Sequence, residues 1–143
     1  MKQDQLKAWQ PDQFDRFVRI LEQDQLNHAY LFSGFFGSLE MAQFLAKSLF
    51  CTDKVGVLPC EKCRNCKLIE QEEFPDVTLI KPVNQVIKTE RIRELVGQFS
   101  QAGIESQQQV FIIEQAEKMH PNAANSLLKV IEEPQSEVYI FFL

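Results

Sequence analysis

The stretch Ala29-Tyr30-Leu31-Phe32-Ser33-Gly34-Phe35-Phe36-Gly37-Ser38-Leu39-Glu40-Met41 decides the fold. An apolar run enters a Ser-Gly pair and a second glycine follows at Gly37. A helical segment then runs from about Ser38 to Phe50, with Ala42, Leu45, Ala46 and Leu49 on one face. Strand, glycine-bearing loop and helix in that order outline a phosphate-binding loop. In such a loop backbone N–H groups wrap the phosphates, a Lys reaches the β/γ oxygens and a hydroxyl holds Mg²⁺. Counted from Gly34 on the pattern GxxxxGK[ST], the second glycine is Leu39, the lysine is Glu40 and the hydroxyl is Met41. A carboxylate repels a triphosphate, and a thioether is the wrong ligand for a hard, oxygen-seeking ion. The outline predicts a degenerate nucleotide site at Gly34, Gly37, Ser38, Glu40 and Met41, with no nucleotide bound.

The acidic half of such a site lies at the end of the strand beside the loop strand. Four apolar residues precede Asp-Glu there, the Asp serving Mg²⁺ and the Glu orienting the attacking water. Here Val110-Phe111-Ile112-Ile113 runs into Glu114-Gln115. Glu114 is one methylene longer than Asp, and Gln115 cannot act as a base. Ligands in parallel α/β sheets sit at the strand ends, so the shape of a pocket is expected to survive without its catalytic groups.

The helix that follows the loop ends at a cluster. All four cysteines, Cys51, Cys60, Cys63 and Cys66, fall within sixteen residues at the spacing C-x8-C-x2-C-x2-C. Without a secretory context, such clustering points to metal rather than to disulfides. Four thiolates close a tetrahedral shell and leave no position for water or substrate. The predicted site is therefore structural and holds Zn²⁺, in a small insert over about 51–66, against the alternatives of a redox-active or free cluster and an iron–sulfur centre.

Elsewhere strands alternate with helices. Pro11 opens a helix carrying Phe14, Phe17, Val18 and Leu21, and His28 stands at the entrance of the first strand as a structural residue. Leu68 to Phe74 reads as a helix tail and Asp76 to Pro82 as a second strand. Thr89 caps a helix with Ile92, Leu95, Val96 and Phe99 inward, stopped at Gly103. Gln109 to Glu114 suits the centre of a sheet. Pro121 begins a helix with Ala124, Leu127, Leu128 and Ile131 inward, and Glu137 to Leu143 forms a fourth strand. This alternation predicts an α/β fold: a three-layer parallel sheet with flanking helices and a zinc-binding insert.

With 143 residues and twelve Phe, the chain has ample apolar content for one core, and none of its runs is long enough to span a bilayer. Its N-terminal residues lack the apolar stretch of a secretory signal, so a cytoplasmic protein is expected. A formal charge of −5 argues against strong independent DNA binding. A DNA-binding zinc module is disfavoured on the same ground.

Three motifs in order carry a family resemblance: His28-Ala-Tyr-Leu-Phe-Ser-Gly34, the four cysteines after the loop helix, and Asn125-Ser-Leu-Leu-Lys-Val-Ile-Glu-Glu-Pro134, with Pro75-Asp-Val between them. From about His28 to Leu143 the chain resembles the N-terminal domain of the delta prime family of bacterial DNA polymerase III clamp-loader subunits. The gamma/tau family shares the layout but keeps the lysine and the Asp-Glu pair, so a weakly nucleotide-binding gamma/tau-type ATPase is the alternative. The resemblance implies an AAA+-type domain over 1–143, a piece of a longer protein whose lid and collar domains are absent here. It also implies a rigid stator in a ring that opens the sliding clamp; the stator contacts the delta and gamma/tau subunits and meets the clamp and primed DNA through the complex. No ATPase activity and no membrane association are expected. The family's arginine-finger segment would lie past Leu143. Asn122, Asn125, Lys129, Glu132 and Glu133 are candidates for a subunit interface, against the alternative of an ordinary solvated helix face.

Overall fold

The structure, a computed structural model, describes residues 3–32, 37–98, 108–132 and 138–143. In chain order these form α1 (Gln3–Trp9), α2 (Pro11–Glu22), β1 (Ala29–Leu31), α3 (Ser38–Phe50), α4 (Arg64–Glu70), β2 (Val77–Ile80), α5 (Thr89–Gln98), β3 (Gln109–Ile113), a 3-10 turn (Ala116–Lys118), α6 (Pro121–Glu132) and β4 (Val138–Phe142). Gly34, Phe99, Gly103 and Glu133 lie outside the described residues, as do the side chain of Ile131 and the loop between Phe32 and Gly37.

The four strands form one parallel sheet in the order β1-β4-β3-β2. From β1 the chain passes through α3, the cysteine segment and α4 to β2 at the opposite edge, then steps back through α5 to β3 and α6 to β4. Right-handed crossovers made in opposite directions along a sheet fall on opposite faces. That handedness puts α3 and α4 on one face and α5 and α6 on the other, giving the three layers.

Side chains alternate across the strands and supply both cores. In register, Tyr30, Phe141, Ile112 and Leu79 form one row across the sheet, and Leu31, Phe142, Ile113 and Ile80 the next. The first face packs Val110, Ile112 and Phe141 against Leu6, Phe14, Phe17 and the helix α3. Its rings pair closely: Phe17 meets Phe32 edge-on at 5.6 Å, and Phe14 meets Phe44 at 4.9 Å. The second face packs Phe111, Ile113 and Ile140 against Ile92, Leu95, Ala123 and Leu127. His28 Nδ1 hydrogen-bonds the Val138 carbonyl at 2.8 Å and its ring stacks on Tyr139, which ties the entrance of β1 to β4.

Several expectations are corrected. The strand of Glu114 is not beside β1, because β4 occupies that place. β1, whose apolar run suits a buried parallel strand, is instead an edge of the described sheet, and Leu31 is 71% exposed. The helix α3 is not amphipathic: every residue from Met41 to Ser48 is buried, because α1, α2 and α4 surround it. On α6 the inward residues are Ala123 and Leu127, whereas Ala124 is half-buried and Leu128 exposed. A helix, α1, forms where the sequence reading placed only a polar N-terminus. No helix among the described residues is long and apolar enough to cross a membrane.

Candidate metal centre and nucleotide site

The cysteine segment leaves the end of α3. Cys51 is its C-cap, with extended backbone, and its N–H still bonds the Lys47 carbonyl. Lys54 to Leu58 make a tight turn through Gly56 (φ +63°), closed by paired bonds between Val55 and Leu58. The chain then returns over Cys60 and enters α4, whose N-cap is Cys63. Asn65 donates from Nδ2 to the Phe50 carbonyl at 2.9 Å, so the returning segment satisfies an open carbonyl at the C-terminus of α3.

These local bonds bring the four Sγ atoms of Cys51, Cys60, Cys63 and Cys66 within 4.8 Å of one another. A tetrahedral thiolate shell about 2.3 Å from its ion has sulfur–sulfur edges of about 3.8 Å. Here Cys51–Cys60 and Cys51–Cys63 are 3.5 and 3.9 Å, far beyond disulfide length, and all four cysteines are free. Backbone N–H groups point at the sulfurs as well. Those of Asp53 and Cys60 bond Cys51, those of Lys62 and Cys63 bond Cys60, and that of Cys66 bonds Cys63, at 3.2–3.4 Å. Such donors stabilise thiolates and orient them as metal ligands. The donor set fits a metal ion, and with four sulfurs converging it leaves no site for a reacting water.

The protonation states follow from the same contacts. Burial pushes the Cys51 and Cys66 thiols up. Burial also acts to raise Cys63, but N–H groups of Thr52 and Cys66 outweigh it and bring that thiol down to about 6.

The nucleotide-site residues divide between two places. Gly37 is the N-cap of α3 and takes φ +85°, a conformation a side chain resists. A methyl group there would meet Leu6 Cδ1 at 3.6 Å, Trp9 Cε3 at 3.7 Å and Glu40 Oε2 at 3.9 Å. The Glu40 carboxylate thus folds back toward the helix N-terminus, where a negative group is favoured. Ser38 begins α3, and Met41 is fully buried in the core beneath it. Glu114 and Gln115 instead line a cavity of about 680 Å³ at the strand ends, with Leu31, Phe32, Ala116, Glu117 and Leu143. Glu114 continues the ladder through its N–H to the Ile80 carbonyl at 2.9 Å, and Gln115 turns into the left-handed region at φ +51°.

Of the interface candidates, Asn122, Asn125, Lys129 and Glu132 are all exposed on α6, and their spacing puts them on one face. Four residues, Lys47, Glu61, Glu70 and Gln3, escaped the sequence reading. Lys47, buried in α3, has its ammonium 3.7 Å from Glu61 and 3.6 Å from Glu70, and Gln3 donates its N–H to Glu61 at 2.8 Å. A lysine directly after Phe44-Leu45-Ala46, on a helix whose apolar residues surround it, was the available signal.

A family model described as "DNA polymerase III, delta subunit" matches residues 9–143. A DNA polymerase III subunit delta′ of Bacillus subtilis is 44% identical over 135 residues, 93% of this chain and 41% of that protein. The chain belongs to the delta′ family of DNA polymerase III subunits. It is also 36% identical over 125 residues to a DNA polymerase III subunit tau/gamma of Haemophilus influenzae, covering 86% of this chain and 18% of that protein. The fold is similar to a solved structure of a DNA polymerase III gamma subunit-related protein from Thermotoga maritima, with a TM-score of 0.58 at 21% identity over 92% of this chain and 38% of that one. The chain therefore spans less than half the length of each of these relatives.

Proposed function

We propose that this chain is the AAA+-like N-terminal domain, residues 1–143, of a cytoplasmic clamp-loader subunit that hydrolyses no ATP and works through protein contacts. The observation that carries the reading is the joint replacement of the groups a triphosphate needs. Glu40 stands in the lysine position, and Met41, in the hydroxyl position, is buried away from any ligand. Glu114 and Gln115 replace the acidic pair.

Cys51, Cys60, Cys63 and Cys66 hold a structural Zn²⁺, which fixes the insert to the end of α3 and supplies no chemistry. The partners are the delta and gamma/tau subunits, and the sliding clamp and primed DNA are reached through the complex. Asn122, Asn125, Lys129, Glu132 and Glu133 contribute to a subunit contact. Mixing the full-length protein with delta and gamma/tau subunits should give one co-eluting complex that loads clamps, and failure to enter that complex contradicts the proposal.

The similarity to tau/gamma relatives and the cavity beside Glu114 favour a second reading, a weak ATPase of the gamma/tau type. Under it, Glu40→Lys raises nucleotide affinity by itself, because Met41 is too deeply buried for a hydroxyl at that position to reach a ligand.

A further inference from the structure

The helix α1 has seven residues, too few to persist in water without tertiary support. It has two anchors. At its start, the Gln3 N–H donates to Glu61 Oε1 at 2.8 Å and the Gln3 Nε2 group donates to the Pro59 carbonyl at 3.4 Å. Further along, Leu6 is buried in the main core and, with Trp9, packs over Gly37 at the head of α3.

The first anchor belongs to the cysteine cluster. Glu61 lies between Cys60 and Cys63 and is held at φ +60°, a backbone state unfavourable for a residue with a Cβ. Cys60 and Cys63 on either side keep it there, through bonds from Lys62 and Cys63 to the Cys60 sulfur. Its carboxylate is turned inward to the buried Lys47 ammonium and the Gln3 N–H.

We infer that metal occupancy of the cysteine cluster locks α1 across the head of α3, with Glu61 as the positioning residue that transmits it. The inference rests on the metal reading given above. Metal fixes the Cys60–Cys63 turn, the turn fixes the Glu61 carboxylate, and the carboxylate holds the first N–H of a helix that cannot stand alone. Leu6 and Trp9 then stay over Gly37, so the N-terminus of α3 is capped from a site at the far end of the same helix.

Hydrogen exchange on the full-length protein, with metal content assayed separately, tests this. Stripping Zn²⁺ with a chelator should lower amide protection in α1 by about tenfold or more while β3 stays protected. Gln3→Pro removes both donors of this anchor, the N–H to Glu61 and the Nε2 group to the Pro59 carbonyl, at a helix start where proline is tolerated. It should expose α1 to the same degree with zinc content unchanged, even if chelation unfolds the whole domain. Unchanged α1 protection in the zinc-loaded Gln3→Pro protein, or after verified zinc loss, overturns the inference and leaves the metal reading standing. Failure of the purified protein to bind zinc at all overturns both.

Discussion

The Lys47 ammonium lies 3.7 Å from the Glu61 carboxylate, with 2% and 12% of the two side chains exposed. Glu70 of α4 shares the same ammonium at 3.6 Å and is 40% exposed. A charge buried this deeply is tolerated because carboxylates accompany it. The pair welds the cysteine segment and α4 to the side of α3.

Removing one partner of a buried pair leaves the other desolvated and alone. Lys47→Ala should destabilise the domain by about 2–4 kcal/mol, whereas Lys47→Met, apolar and similar in volume, should lose less. Urea midpoints of the two variants check the order. Equal losses would show that the whole cost comes from the lost ammonium and that the stem adds nothing by its packing.

The four-sulfur geometry predicts about one Zn²⁺ per chain. Cys63→Ser should release the metal and loosen the 51–66 segment, measured by elemental analysis and limited proteolysis. An unchanged zinc content in that variant would remove Cys63 from the ligand set.

Zinc affinity should climb with pH, because a metal takes thiolates and displaces their protons. The signs differ among the ligands. Cys63, drawn down to about 6 by backbone N–H groups despite its burial, is already largely ionised at neutral pH. Cys51 and Cys66, raised by burial, hold their protons and must release them to the ion. Acidification from pH 8 to pH 6 is therefore expected to weaken binding steeply in a chelator competition. A flat profile would argue against thiolate ligation.

Neighbouring leucines on α6 should behave oppositely. Leu127 is buried against Ala123 and the second core, and Leu127→Ala should cost about 2–5 kcal/mol. Leu128 is 52% exposed, and Leu128→Ala should change stability by less than about 0.5 kcal/mol. Thermal unfolding of both variants reads the contrast, and comparable losses would place Leu128 in the core as the sequence reading had it.

Much of the fold was legible because its signals are local. The helix after the loop was expected from Ser38 to Phe50 and has those bounds, set by Gly37 at one end and Cys51 at the other. The run Val110 to Ile113 lies inside the sheet, as a continuous apolar stretch should. The cysteine spacing alone announced the cluster. The failures are non-local. Placing β4 between β1 and β3 depends on the direction of the crossovers, which no hydrophobic period encodes. The helix α1 forms from a polar segment only because Leu6 finds a core and Gln3 finds Glu61. Lys47 reads as a surface residue until two carboxylates from another segment are seen around it. For the nucleotide site, counting from Gly34 could not show that Met41 lies in the core while Glu114 lines a cavity at the strand ends.

The central claim is that this phosphate loop no longer receives a nucleotide. Calorimetric titration of ATP with Mg²⁺ into the zinc-loaded full-length protein tests it most directly. No saturable heat is predicted, because Glu40 presents a carboxylate where the lysine would stand and Met41 offers no oxygen. Tight, saturable binding of ATP would contradict the account.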